Sequence, residues 1–239
     1  MHGLIPALRL MTRLPVPFGD RSADTLADAN PWFPAAGLVV GLFVAAMVGA
    51  GTRIDPWLGA FLGLLGWVWV TGALHLDGLA DLVDALGAAH GDRERFLAVL
   101  REAHLGGFAV VAVVLQLLGK LVLLMLLARS GTQWLVVLVC GWARLGATVW
   151  VWGLPPLTSG LGMMCAAGRH DGAVFAWILA LGVASFLFSP VLLLAPLLLL
   201  GWWWFLKRRV GGMNGDCLGA GIEVVETTLL LAWVIWEAT

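Results

Sequence analysis

The chain has 239 residues, of which 61% are hydrophobic and only 12% charged, with a mean hydropathy of +0.94 and a formal net charge of −1. A water-soluble domain carries about a quarter charged residues, so this composition excludes one and makes the lipid bilayer the solvent for most side chains. The near-zero charge gives no reason to expect a nucleic-acid partner, and Cys140, Cys165 and Cys217 are too widely spaced for a metal motif or a disulfide framework.

The chain begins "MHGLIPALRLMTRLPVP". Leu4, Leu8 and Met11 fall at i, i+4 and i+7 with Arg9 and Arg13 on another face, which predicts an interfacial amphipathic helix within 1–17, ended by Pro15 and Pro17. Segments able to cross the roughly 30 Å hydrocarbon layer follow near 34–51, 57–74, 107–128, 133–152, 174–189, 191–206 and 217–236. The expected fold is therefore an all-α integral membrane protein of about seven transmembrane helices, a single polytopic domain over 1–239. With the N-terminus cytoplasmic, ten cations flank the spans on that side (Arg9, Arg13, Arg21, Arg93, Arg95, Arg101, Arg169 and Lys207 to Arg209), and only Arg53 and Arg129 on the other. This topology gathers 75–106, 153–173 and 207–216 on the cytoplasmic face.

"HLDGLADLVDALGA" follows the second span. Asp77, Asp81 and Asp84 lie at i, i+4 and i+7, within about 60° of one another on a helix. Like charges so placed repel. A solvated helix face is one reading; the apolar flanks favour the other, a set of hard oxygen ligands for Mg²⁺ or Mn²⁺ that recruits phosphate oxygens to complete an octahedron.

Lys120 and Arg144 stand inside otherwise apolar spans, where pairing with acids or with a bound phosphate is the expected compensation. Near the C-terminus, "KRRVGGMNGDCLGAGIEVVE" places Gly211, Gly212 and Gly215 before a predicted helix whose N-terminus and neighbouring cations suit an anion, although an ordinary N-cap at Asn214 or Asp216 fits the same residues. Asp216, Glu223 and Glu226 share a helix face, and the two glutamates enter an apolar span. His75, His104 or a crowded carboxylate could accept a proton near neutral pH, with Glu102 close to the second histidine.

Taken together, "RLMTRLPVP", "WFPAAGLVVG", "TGALHLDGLADLVDALGA", "GWARLGA" and "GGMNGDCLGAGIEVVE" resemble, in order and spacing, the cobalamin synthase (adenosylcobinamide-GDP ribazoletransferase) family, from about residue 8 to 235. The resemblance implies a Mg²⁺-dependent membrane phosphotransferase of late vitamin B12 biosynthesis. Such an enzyme joins adenosylcobinamide-GDP to alpha-ribazole or its 5′-phosphate and releases GMP, in the cytoplasmic (inner) membrane of a prokaryote. Carried over residue by residue, it implies metal ligation by Asp77, Asp81, Asp84 and Asp216, and catalytic parts for His75, Asp81, Lys120 and Arg144. It further implies substrate contacts at Gly78, Gly212, Gly215, Gly219, Glu223 and Glu226, and Glu102 and His104 are expected to make substrate contacts in place of the family's usual acid and arginine. The chain departs from the family pattern at Ala85, at Glu102-Ala103-His104 and at Asn214, where glycine, Asp-Ser-Arg and threonine are usual. A CDP-alcohol phosphotransferase would use similar acids, but Asp81 occupies that family's arginine position. A cation transporter would need acids near the bilayer midplane and commonly two related halves, and no internal repeat is visible.

Overall fold

A computed structural model describes residues 3–16, 27–89, 92–100, 106–157 and 171–239. Among them there is no strand, only one isolated bridge between Pro156 and Met213, in keeping with the need of a membrane segment to satisfy its peptide groups internally. The helices are α1 (Leu4–Met11), α2 (Phe33–Thr52), α3 (Pro56–Thr71), α4 (Leu74–Ala89), α5 (Arg93–Val99), α6 (Gly107–Ser130), α7 (Leu135–Gly153), α8 (Asp171–Phe188), α9 (Ala195–Phe205) and α10 (Gly215–Glu237). Among the described residues six stretches are long and apolar enough to cross a membrane, and seven if α3 and α4 count as one bent pair. The protein is an all-α integral membrane protein.

Helix α7 is central: 78% of its apolar stretch is buried in the protein, against 11% for α8. Small residues on α2 allow this. A Cβ at Gly37 would stand 2.3 Å from the Cys140 carbonyl, and one at Gly41 2.5 Å from the Val137 Cα, so the two backbones approach as closely as membrane helices with small interface residues do. Helix α8 instead leaves Phe175, Leu179, Phe186 and Leu187 exposed. With an apolar surface all round and few protein neighbours, it meets acyl chains.

Two breaks in the helices position the site. Gly72 ends α3 in the left-handed region at φ 60°, where its N–H bonds to the Trp69 carbonyl, and Ala73 follows at φ 57°. A non-glycine residue there costs roughly 1 kcal/mol. These two residues turn α4 by 83° from α3, so α4 lies across the starts of α6 and α10 instead of continuing through the layer. Later, Pro190, lacking an N–H, starts a 3-10 turn (Pro190–Leu194) that separates α8 from α9. The run then widens into a π-helical turn, Leu206–Val210, stopped by Gly211 at φ 77°.

Candidate active site

Helices α4 and α10 touch backbone to backbone. A Cβ on Gly78 would lie 2.9 Å from the Asp216 backbone, and one on Gly219 3.2 Å from the His75 Cα. Both glycines are therefore needed for the close approach, and that approach delivers Asp216 to the side of Asp77 and Asp81. Asn214 caps α10, accepting from the Cys217 N–H at 3.0 Å, while its Nδ2 donates to Asp216 Oδ2 at 2.7 Å. The amide thus caps the helix and orients a carboxylate at once, its oxygen accepting and its nitrogen donating.

Burial raises the Asp81 carboxyl to about 6, helped by the charges of Asp216, Asp77 and Asp84 in that order. Among the described residues, Asp77, Asp81 and Asp216 have no cation within ion-pair distance. Asp84 is different. It is 8% exposed, and its carboxylate accepts from the Gly106 N–H and, at 2.9 Å, from the Ala109 N–H. It therefore caps α6 from a neighbouring helix, satisfying two of the amides that a helix start leaves open.

Lys120, Arg144, Glu223 and Glu226 form a second cluster, each at most 4% exposed. Lys120 Nζ lies 2.7 Å from Glu223 Oε2 and 2.6 Å from Glu226 Oε2, and Arg144 Nη1 pairs with Glu226 Oε1. Two cations meet two carboxylates, so the cluster is neutral overall. Gln116 donates to Glu223 at 2.6 Å, and the Lys120 ammonium stands 4.1 Å above the Trp67 ring. Sequence reasoning misses Gln116 and Trp67. Gln116 does carry a signal, as the polar residue four before Lys120 on the same face of an apolar span. Arg144 Nη2 lies 3.4 Å from His75 Nδ1. Arginine has no acceptor, so Nδ1 must hold the lone pair and the ring proton sits on Nε2, which is buried without a partner. His75 is therefore placed as a donor, whereas the sequence alone allowed it to be a base.

A cavity of about 260 Å³ opens beside the carboxylates. Asp77, Asp216 and His75 line one part, and Met11 of α1, Phe33 of α2 and Ile222 of α10 supply apolar wall. Gly215 also borders it, and a Cβ there would meet no heavy atom within 4 Å. Gly212 is packed instead, since a Cβ on it would stand 2.6 Å from the Pro155 carbonyl. Only Gly211 of the three loop glycines takes a positive φ. Glu102 and His104 lie outside the described residues.

Among the described residues, no three His, Cys, Asp or Glu side chains converge on a point that could enclose a metal ion. Mg²⁺ does not require such a cage: it binds through one or two carboxylates and keeps sites for water and phosphate oxygens. The donor set at Asp77 and Asp216, hard, uncompensated and beside a cavity, fits that mode and not a closed structural site.

The model of the cobalamin-5-phosphate synthase family matches residues 3–234. Proteins named adenosylcobinamide-GDP ribazoletransferase are similar along nearly the full length. The one from Laribacter hongkongensis is 55% identical over 98% of this chain and 97% of its own. The one from Novosphingobium aromaticivorans is 51% identical over the same shares, and the one from Thiobacillus denitrificans 49% over 97% of this chain and 94% of its own. No solved structure matches. With the family model covering residues 3–234 and relatives 49% to 55% identical along nearly the full length, the chain belongs to the cobalamin-5-phosphate synthase family.

Proposed function

We propose that the chain joins adenosylcobinamide-GDP to alpha-ribazole or its 5′-phosphate, giving adenosylcobalamin or its 5′-phosphate and GMP. The observation that carries the reading is the group of carboxylates that, among the described residues, have no cation beside them at the border of an amphipathic cavity. A divalent cation arriving with the diphosphate would supply the missing positive charge, and the cavity suits an acceptor with a flat apolar ring system and a hydroxyl end.

In this mechanism Asp77 and Asp216 would hold Mg²⁺, with Asn214 fixing the rotamer of Asp216. Bound there, the ion supplies charge neutralisation for the diphosphate and the departing phosphate oxygen. The ribazole hydroxyl oxygen attacks the phosphorus attached to the corrinoid; a new P–O bond forms, the bridging P–O bond breaks, and GMP departs with the bridging oxygen. Asp81, held near 6, accepts the hydroxyl proton. Asp84 fixes the far end of α4 against α6. Lys120 and Arg144 position α6, α7 and α10 through Glu223 and Glu226, and His75 lines the cavity against Arg144. The ten-to-two cation asymmetry supports a cytoplasmic location for this face, in the inner membrane of a bacterium.

The test is product analysis by mass spectrometry on purified protein in liposomes, given adenosylcobinamide-GDP and alpha-ribazole, with and without Mg²⁺. Metal-dependent formation of cobalamin and GMP is expected, reduced by about 100-fold or more in Asp216→Asn at an unchanged melting temperature. No product from folded wild-type protein refutes the reading, and equal turnover in EDTA removes the metal from it.

A further inference from the structure

A second cavity, of about 490 Å³, lies between α5, the last turns of α4 and the π-helical turn, and none of the chemistry above uses it. Arg93 lines it from one side and Lys207, Arg208 and Arg209 from the other, over aromatic surface from Phe96 and Phe205. Its one carboxylate, Asp92, is occupied: Oδ1 accepts from the Glu94 N–H at 2.8 Å and the Arg95 N–H at 3.3 Å. Among the described residues none of the four cations forms an ion pair.

Cations that anchor a membrane protein commonly cluster in one segment immediately beside a span. Here a residue from a distant part of the sequence joins them. Gly211 makes this possible, since a Cβ there would meet Arg93 Nη1 at 2.7 Å, and its φ of 77° already favours glycine. Lys207 stands 4.7 Å above the Trp203 ring and Arg208 5.8 Å above the Trp204 ring, rings that do not line the cavity, whereas Arg93 and Arg209 have no such ring contact among the described residues. Leu86, in its wall, follows Asp81 by five residues on α4, about 7.5 Å of helix rise and about 140° around the axis, so the cavity shares that helix with the carboxylates but not their face.

We propose that this cavity is a binding site for a phosphate ester, whose oxygens meet Arg93 and Lys207 to Arg209 and whose apolar or aromatic body lies against Phe96 and Phe205. Two ligands carry that chemistry. One is a nucleoside monophosphate, which, on the function proposed above, is the half of the substrate that leaves; the other is an anionic phospholipid headgroup.

The full chain in phosphatidylcholine nanodiscs is titrated with GMP in EDTA, so that no metal bridges it to the aspartates. In parallel, thermal stabilisation by added phosphatidylglycerol is measured in detergent. The variant is Arg93→Gln with Arg209→Gln; Arg53→Gln with Arg129→Gln makes the same charge change at the other end of the bundle. The expected result is GMP binding about tenfold or more weaker in the first variant, unchanged in the control, with both variants melting as wild type does. Loss of the phosphatidylglycerol effect alone assigns the same site to lipid. Wild type and first variant behaving alike toward both ligands, including no measurable binding to either, overturns the site. If GMP binding falls as expected but wild type makes no cobalamin, the site stands and the proposed reaction fails.

Discussion

Lys120, Arg144, Glu223 and Glu226 on one side, and Asp77, Asp81 and Asp216 on the other, are charges in the same apolar protein, two to three turns apart along α10. The first group is sealed and balanced, cation against carboxylate at 2.6 to 2.7 Å. The second is half-open, all of one sign, and has no cation beside it among the described residues. Charge in a low-dielectric setting must be compensated. Where compensation is internal the group holds helices in register; where it is missing, the group is arranged to take it from a ligand. The same residue types thus play opposite parts, and the difference lies in their partners.

The largest expected effect breaks the balanced group. Lys120→Met leaves Glu223 and Glu226 facing one guanidinium, and removing one partner of a buried pair costs about 3–5 kcal/mol, which a melting curve in detergent would register as a large fall. Adding Glu223→Gln leaves the Arg144–Glu226 pair balanced and should recover most of the loss. A single variant that melts like wild type would show that the cluster is not a structural tie. A stable double variant with no turnover would move Lys120 from positioning into contact with phosphate, the other compensation its place in an apolar span allows.

A smaller effect separates the aspartates of α4 from one another. Asp84→Ala removes two charge-assisted bonds to the start of α6 and should cost about 1–2 kcal/mol, whereas Asp77→Asn relieves repulsion and should gain about 0.3 kcal/mol. Equal melting shifts would return Asp84 to the same standing as Asp77. In the sequence the three look equivalent, because their helical spacing is legible and their partners are not. Asp84 meets amides 22 and 25 residues later, and Lys120 meets carboxylates more than 100 residues away. Periodicity and hydropathy report what a segment buries, and so the spans, the acidic helix and the intramembrane charges could be read directly. Pairing across the bundle depends on the 83° turn at Gly72 and Ala73; nothing in "WVTGALHLDG" announces left-handed backbone at an alanine.

The smallest effect concerns the open group alone. In the unfolded chain Asp81 titrates near its ordinary 3.8, and in the folded protein near 6. Between those values the folded state holds the extra proton, so the contribution of Asp81 to stability falls as pH rises through the window and levels off above about 6. Melting temperatures in EDTA should therefore decline from pH 4.5 toward 7 by a small amount, since the side chain is partly exposed and solvent screens it. Asp216→Asn removes the largest of the neighbouring charges that hold Asp81 up, and its profile should be flatter over the same range. Saturating Mg²⁺ should flatten the wild-type profile in the same direction, because a cation at Asp77 and Asp216 opposes the repulsion that the empty carboxylates exert. An unchanged slope in both cases would mean that burial alone raises Asp81, and the three acids would no longer count as one electrostatic unit awaiting a cation.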